Sequence, residues 1–206
     1  MEEKKRYIPL KDGKGIYKEL GSEFIACVFP ISSPDEYKEK EEAFRKANPK
    51  ADHYPYALRV GDYSKSSDDG EPGGTAGKAI ASLLINKGID KALIIVARYF
   101  GGTKLGVPGL RRAFLSAAEA ALSDAAFGEE VRCLEYSLSL TYPEYELLSS
   151  LARRGEFELL NIDYSINVNC TLRSSGTIDA LLERKGIRLD LPSPKEAIIY
   201  KEVQHL

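Results

Sequence analysis

Three carboxylates lie close together in a glycine-rich stretch, KSSDDGEPGGTAGK, over residues 65–78. They are Asp68, Asp69 and Glu71. Carboxylates at this density could bind Mg²⁺, or one of them could act as a general base beside His53. The competing interpretation is structural: the carboxylates pair with cations of the same chain, and His53 is a hydrogen-bonded histidine at a strand edge.

A second glycine-rich stretch, RYFGGTKLGVPGLRR, covers residues 98–112. Its charged side chains are all basic: Arg98, Lys104, Arg111 and Arg112. Opposite charge and abundant glycine predict that the two stretches meet in the folded chain, where backbone can approach backbone or a shared partner. The contact could consist of structural ion pairs, or it could bind an anion or a nucleic acid. Tyr99 and Phe100 could offer a stacking surface, although aromatic residues directly after a buried strand more often belong to the core.

Neither stretch is a phosphate-binding loop of a known sequence type. In the first, Gly77-Lys78 has the form of the end of such a loop, but Pro72 occupies the first glycine position. Ala79 stands where Ser or Thr would bind magnesium, and in the second stretch Val107 replaces the lysine. Each stretch nonetheless precedes a predicted helix, whose N-terminus can bind an anion without such a motif.

Cysteine and histidine are too few for a metal centre built on them. The chain has two histidines and three cysteines, and the cysteines at 27, 133 and 170 are far apart in sequence. This composition argues against a zinc site. An odd number of cysteines in apolar sequence favours free, buried thiols in a reducing, cytoplasmic compartment.

The overall charge excludes some partners. The 206 residues include 29 basic and 31 acidic side chains, for a formal net charge of −2. That is not the basic body expected of a strong nonspecific nucleic-acid binder, although a local basic patch is compatible with it. No apolar run approaches the roughly 18 residues of a membrane span, so no membrane partner is expected.

The first part of the chain predicts strands and helices that position both stretches. Apolar alternation predicts strands over 15–20, 22–29 and 53–62, and the wholly apolar run Ala92–Ala97 predicts a central strand. Helices are expected over about 34–47, 76–86 and 110–122, the second of them capped by Thr75.

The remainder, from Cys133 onward, predicts strand, helix, strand, strand, helix, strand. That order, βαββαβ, is the ferredoxin-like split unit. We therefore expect an α+β protein with two separately packed domains, residues 1–130 and 131–206.

The two stretches resemble the signature of the IMPACT family. The resemblance rests on SSDDGEPGGTAGK and, about twenty residues later, ARYFGGTKLGVPGLRRAF, with His53, Ala57 and Arg59 upstream fitting the same pattern. It covers most of residues 15–125. It implies a first domain with a two-layer α/β fold like the second domain of ribosomal protein S-five. The bacterial branch of the family appends a ferredoxin-like domain resembling the last domain of elongation factor G, in agreement with the pattern after Cys133.

The resemblance implies a role in translation, because eukaryotic members regulate translation under amino-acid stress by binding proteins. The leading interpretation is a non-enzymatic cytoplasmic regulator or accessory factor of translation. It would bind the ribosome, RNA or a translation-associated protein through the glycine-rich stretches. The alternative is an enzyme that acts on a phosphorylated or nucleotide substrate, with the acidic residues on a metal and Arg98 and Lys104 on phosphate.

The leading interpretation names a binding surface with no catalytic residue, no cofactor and no metal. Its expected members come from both stretches and from the strand before them: His53, Arg59, Asp68, Asp69, Glu71, Thr75, Arg98, Tyr99, Lys104 and Arg111.

Overall fold

The computed structural model describes residues 5–203, which divide into two compact units. One unit extends to Glu130 and includes the chain again from Tyr200, and the other is Val131–Ile199. Their folds together make an α+β protein, as predicted. The elements of the first unit are β1 (Tyr7–Pro9), β2 (Gly13–Glu19), β3 (Ser22–Pro30), α1 (Tyr37–Ala47), β4 (Tyr56–Val60), β5 (Tyr63–Ser67), α2 (Gly77–Asn86), β6 (Ala92–Tyr99) and α3 (Gly106–Asp124).

A five-stranded antiparallel sheet with the order β2-β3-β6-β4-β5 forms the centre of the first unit. The apolar strand β6 lies in the middle, as predicted, and its alternate residues face opposite sides. On one side Ala92, Ile94 and Val96 pack with α2 and α3. Phe24 of β3 meets Phe114 of α3 edge to face at 5.0 Å between ring centroids, a geometry that adds about 0.5–1.5 kcal/mol to the burial of the rings.

The other side of the sheet has its own core. Leu93, Ile95 and Ala97 of β6 pack there with Phe44, the buried residue of α1. A capping box of Ser33 and Glu36 forms at a short 3₁₀ turn directly before α1. A central strand that is apolar on both faces must be covered twice, so α1 adds a partial third layer to the expected two-layer arrangement.

The second unit contains the predicted βαββαβ order. Its elements are β7 (Phe127–Leu140), α4 (Tyr142–Ala152), β8 (Glu158–Tyr164), β9 (Val168–Ser174), α5 (Asp179–Arg184) and β10 (Lys195–Val203). β7 pairs with β9 and β10, and β9 pairs with β8. One face of this sheet packs against α4 and α5 around Tyr136, Leu148 and Leu172.

Three features of the strands were not predicted, and the first is the short strand β1. β5 is a polar edge strand, YSKSS, and it takes up the first residues of the acidic stretch, so the loop itself is 68–76. β7 begins at Phe127, where its first residues pair with β1, rather than near Leu134. None of the helices within residues 5–203 is long and apolar enough to span a membrane.

All three cysteines are buried and unpaired with one another. Cys27 is 3% exposed, and burial raises the pKa of its thiol to about 11. Burial likewise raises the pKa of Cys170. A thiolate is the nucleophilic form, so thiols held in the protonated form by burial are poorly reactive.

We expect residues 1–130 to fold as an isolated fragment, because they contain nearly all of the two cores that cover the central sheet. The fragment loses Tyr200, whose hydroxyl lies 2.9 Å from Lys91 Nζ, and the packing of Val203. Its melting temperature should therefore fall by only several degrees, as for a loss of about 1 kcal/mol. Thermal denaturation followed by circular dichroism tests this. A fragment without a cooperative transition would show that the two units cannot fold separately.

The native thiols should resist modification by an aromatic disulfide reagent at mildly alkaline pH. Because burial holds Cys27 and Cys170 as thiols, labelling should become fast only after unfolding in denaturant, when all three cysteines react. The release of chromophore with and without denaturant measures this. Rapid native labelling of any cysteine would contradict the prediction.

Candidate functional site

The two glycine-rich stretches meet around one cleft of about 510 Å³, as their charges predict. Loop 68–76 forms one wall, and the chain from Arg98 into the start of α3 forms the other. The lining residues are Asp52, His53, Gly70, Glu71, Pro72, Arg98, Phe100, Lys104, Leu105, Gly106, Val107 and Leu110.

A short antiparallel bridge between residues 52–53 and 98–100 positions the floor of the cleft. Arg98 N donates to His53 O at 3.0 Å, and Asp52 N donates to Arg98 O at 2.8 Å. The Asp52 carboxylate also accepts from Phe100 N at 2.8 Å. Directly opposed residues share a face, as do residues two apart on one strand, so His53, Arg98 and Phe100 project to the same side.

A buried ion pair joins the two walls. Arg98 Nη1 donates to both oxygens of Glu71, at 2.5 and 2.7 Å. The Glu71 side chain is 1% exposed and that of Arg98 is 10% exposed. The guanidinium lies over the rings of Phe24 and Phe100, at 5.8 and 5.6 Å from their centroids. Its Nε is buried and has no hydrogen-bond partner in the described part of the chain.

Asp68 caps α2, which corrects the prediction for Thr75. The Asp68 carboxylate accepts hydrogen bonds from the backbone N–H groups of Gly74, Ala76 and Gly77 at 2.8, 3.0 and 2.8 Å. Burial alone would raise the pKa of Asp68, but these three donors lower it overall. Thr75 is 1% exposed, and its hydroxyl donates instead to Pro72 O at 2.7 Å. The turn between Asp68 and α2 folds back, so that a carboxylate eight residues away takes the place of the local hydroxyl.

Asp69 ties the loop to α1. Its Oδ2 accepts from Tyr54 N at 2.7 Å and from Arg45 Nη2 at 3.2 Å. Arg45 also stacks on the Tyr54 ring at 4.2 Å and pairs with Glu41 on its own helix. Asp69 therefore faces away from the wall formed by the basic stretch.

The three carboxylates thus bind three different sets of partners and do not converge on one point. Within residues 5–203, no group of three or more His, Cys, Asp or Glu side chains is placed to hold a metal ion. The acidic residues serve the architecture of the cleft, which is the structural interpretation that the sequence left open.

The basic wall keeps two charges without partners. Lys104 and Arg111 are exposed, and neither forms an ion pair or hydrogen bond with another described residue. Arg112 pairs with Glu19 of β2. α3 begins at Gly106, four residues before the predicted start, because Pro108 is tolerated in a first helical turn. Arg111 therefore lies on a helix, and no side chain caps the backbone N–H groups at the start of that helix.

Of the two aromatic residues considered for stacking, Phe100 lies at the cleft, although the expected binding surface included only Tyr99. Phe100 is 47% exposed and lines the cleft. Gly101 follows it and packs against the β2–β3 turn so closely that a Cβ there would lie 1.9 Å from the Gly21 carbonyl carbon. Tyr99 points to the other face, where it joins the core under α1. The strand alternation that continues from Arg98 would have identified Phe100 rather than Tyr99.

Arg59 lies apart from the other candidates. It is on β4 opposite Ala92, at the other end of β6 from Arg98. Its side chain donates to the backbone oxygens of Ile89 and Gly61 at 3.2 and 3.4 Å. These contacts bind β4 to the turn before β6, far along the strand from the cleft.

The structure is that of a two-unit α+β protein with a cleft at one end of the first sheet. The Impact N-terminal domain family matches residues 20–122. An IMPACT family member of Thermus thermophilus is 35% identical over 137 residues, which cover 66% of this chain and 75% of that protein. IMPACT family member YigZ of Escherichia coli is 30% identical over 148 residues, 69% of this chain and 72% of that one.

The chain therefore belongs to the IMPACT family. A solved structure titled as a hypothetical protein has the same overall fold, with a TM-score of 0.59 and 26% sequence identity. The alignment covers 92% of this chain and 97% of that one, so the likeness includes both units.

Replacement of Arg98 by alanine should destabilise the protein by about 3–5 kcal/mol, because the Glu71 carboxylate is left buried without a cation. Lys104→Ala is the matched control: it removes an exposed cation from the same wall and should change the free energy of unfolding by less than about 0.5 kcal/mol. Denaturant unfolding curves of both variants measure the difference. Equal, small effects would mean that the ion pair does not hold the walls together.

Proposed function

We propose that this protein is a non-enzymatic accessory factor of translation that binds single-stranded RNA in the cleft between its two glycine-rich stretches. The observation that carries the proposal is the half-exposed ring of Phe100 at the cleft, next to unpaired cationic groups. The role in translation follows from membership of the IMPACT family.

Exposed aromatic rings bind single-stranded nucleic acids by stacking on their bases. Each such contact is worth about 1–3 kcal/mol and tolerates different bases, because every base has a π-face. The Arg98 guanidinium lies over the Phe100 ring, 5.6 Å from its centroid. Pro72, Leu105 and Val107 add apolar surface to the cleft. The cleft thus combines a flat ring with the apolar edges that a base would cover.

The phosphates would meet the basic wall. Lys104 lines the cleft and Arg111 is exposed on the second turn of α3. Neither forms an ion pair with another described residue. The uncapped start of α3 adds backbone N–H donors beside Lys104. Contacts of this kind release counterions, so the affinity should fall as salt rises.

The occupied carboxylates favour this proposal over the alternative of a metal-dependent enzyme. A catalytic metal would need Asp68, Asp69 and Glu71 as ligands, but they already bind backbone N–H groups, Arg45 and Arg98 respectively. If the cleft binds a protein instead of RNA, the unmodified protein should show no salt-dependent RNA binding.

Phe100→Ala should weaken the binding of a fluorescent single-stranded RNA of about ten nucleotides by roughly 5- to 150-fold, the equivalent of about 1–3 kcal/mol for one stacked base. Tyr63→Ala is the matched control, because Tyr63 is 49% exposed on β5 and does not line the cleft. Fluorescence anisotropy at two salt concentrations measures both affinities. The melting temperature of each variant shows whether the fold is retained.

Three results would contradict the proposal. One is the absence of salt-dependent RNA binding by the unmodified protein. Another is equal affinity for RNA in the Phe100 and Tyr63 variants, which would place the contact elsewhere. The third is turnover of a phosphorylated nucleotide by the unmodified protein that Lys104→Ala abolishes, which would favour the enzyme.

A further inference from the structure

The His53 side chain faces the cleft in one defined tautomer. Its Nδ1 lies 2.7 Å from the backbone oxygen of Asp69. A carbonyl oxygen only accepts hydrogen bonds, so Nδ1 must carry the proton. In the neutral imidazole the other nitrogen, Nε2, is then a hydrogen-bond acceptor with a free lone pair.

The loop covers only one edge of this ring. Gly70 has a φ of +90° and lies so close that a Cβ there would be 3.0 Å from Cε1 and 3.1 Å from Nδ1 of His53. Nε2 has no hydrogen-bond partner elsewhere in residues 5–203. His53 lines the cleft. The edge that carries the acceptor is thus the one left for a ligand.

Within residues 5–203, the charged groups around His53 have other partners or can only donate hydrogen bonds. Asp52 accepts from Phe100 N, the Asp69 carboxylate binds Arg45 and Tyr54 N, and Glu71 is neutralised by Arg98. Lys104, on the opposite wall, can only donate. His53 and Phe100 project to the same side of the bridge that joins their strands.

We infer that His53 determines base specificity: its Nε2 accepts a hydrogen bond from the exocyclic amino group of a base that stacks on Phe100. Cytosine presents such a donor at N4, whereas uracil presents an acceptor oxygen at the same position. The cleft therefore prefers cytosine to uracil. This inference rests on the proposed binding of RNA.

The test compares oligocytidine and oligouridine of about ten nucleotides, because the two bases have the same size and differ in this group. The unmodified protein should bind oligocytidine about 3- to 10-fold more tightly, the effect of one hydrogen bond. His53→Asn is the informative variant. An asparagine amide nitrogen can replace Nδ1 as the donor to Asp69 O but leaves no acceptor at the position of Nε2.

We expect His53→Asn to bring the ratio of the two affinities close to one, with an unchanged melting temperature. Phe100→Ala should instead weaken the binding of both oligonucleotides. Equal binding of the two by the unmodified protein, or an unchanged ratio in the His53 variant, overturns the specificity role and leaves RNA binding standing. Failure to bind either oligonucleotide overturns both proposals. If His53→Asn unfolds the protein, His53→Leu, which has no hydrogen-bonding atom at the position of Nε2, is compared, and an unchanged ratio there again overturns the role.

Discussion

The buried pair of Glu71 and Arg98 sets the distance between two segments that are 27 residues apart. Each ion needs the other, because a lone charge in that position would lack both water and a counterion. With the pair in place, loop 68–76 is held at a fixed distance from the end of β6. That distance determines the width of the cleft, the contact of Arg98 with Phe100 and the contact of Gly70 with His53.

The distribution of charge follows from the same arrangement. Asp68 accepts hydrogen bonds from the start of α2, and Asp69 pairs with Arg45. The carboxylates of the acidic stretch thus all bind groups of this chain. In the basic stretch only Arg98 and Arg112 form ion pairs with described residues. A chain of net charge −2 can in this way present a positive surface at one place.

Much of this arrangement could be predicted from the sequence, and the failures have identifiable causes. The apolar run of β6 and the helical spacing of α3 specify the burial of these two elements directly. The opposite charges of the two glycine-rich stretches correctly predicted that they meet. The prediction that Thr75 caps α2 was wrong. A turn with positive φ at Asp69 and Gly70 places the Asp68 carboxylate at the start of that helix, and no local sequence pattern predicts this turn. β5 was missed because a polar edge strand shows no apolar alternation. Arg59 was included through family resemblance alone, which does not specify distance.

The contact of Gly101 with Gly21 has a thermodynamic consequence for any ligand of the cleft. Two hydrogen bonds hold the backbone at Phe100 in place. Phe100 N donates to the Asp52 carboxylate, and Gly101 N donates to Ser22 Oγ at 3.1 Å. The aromatic platform is therefore ordered before a ligand arrives. Association then loses little chain entropy, and most of the contact energy is retained as affinity.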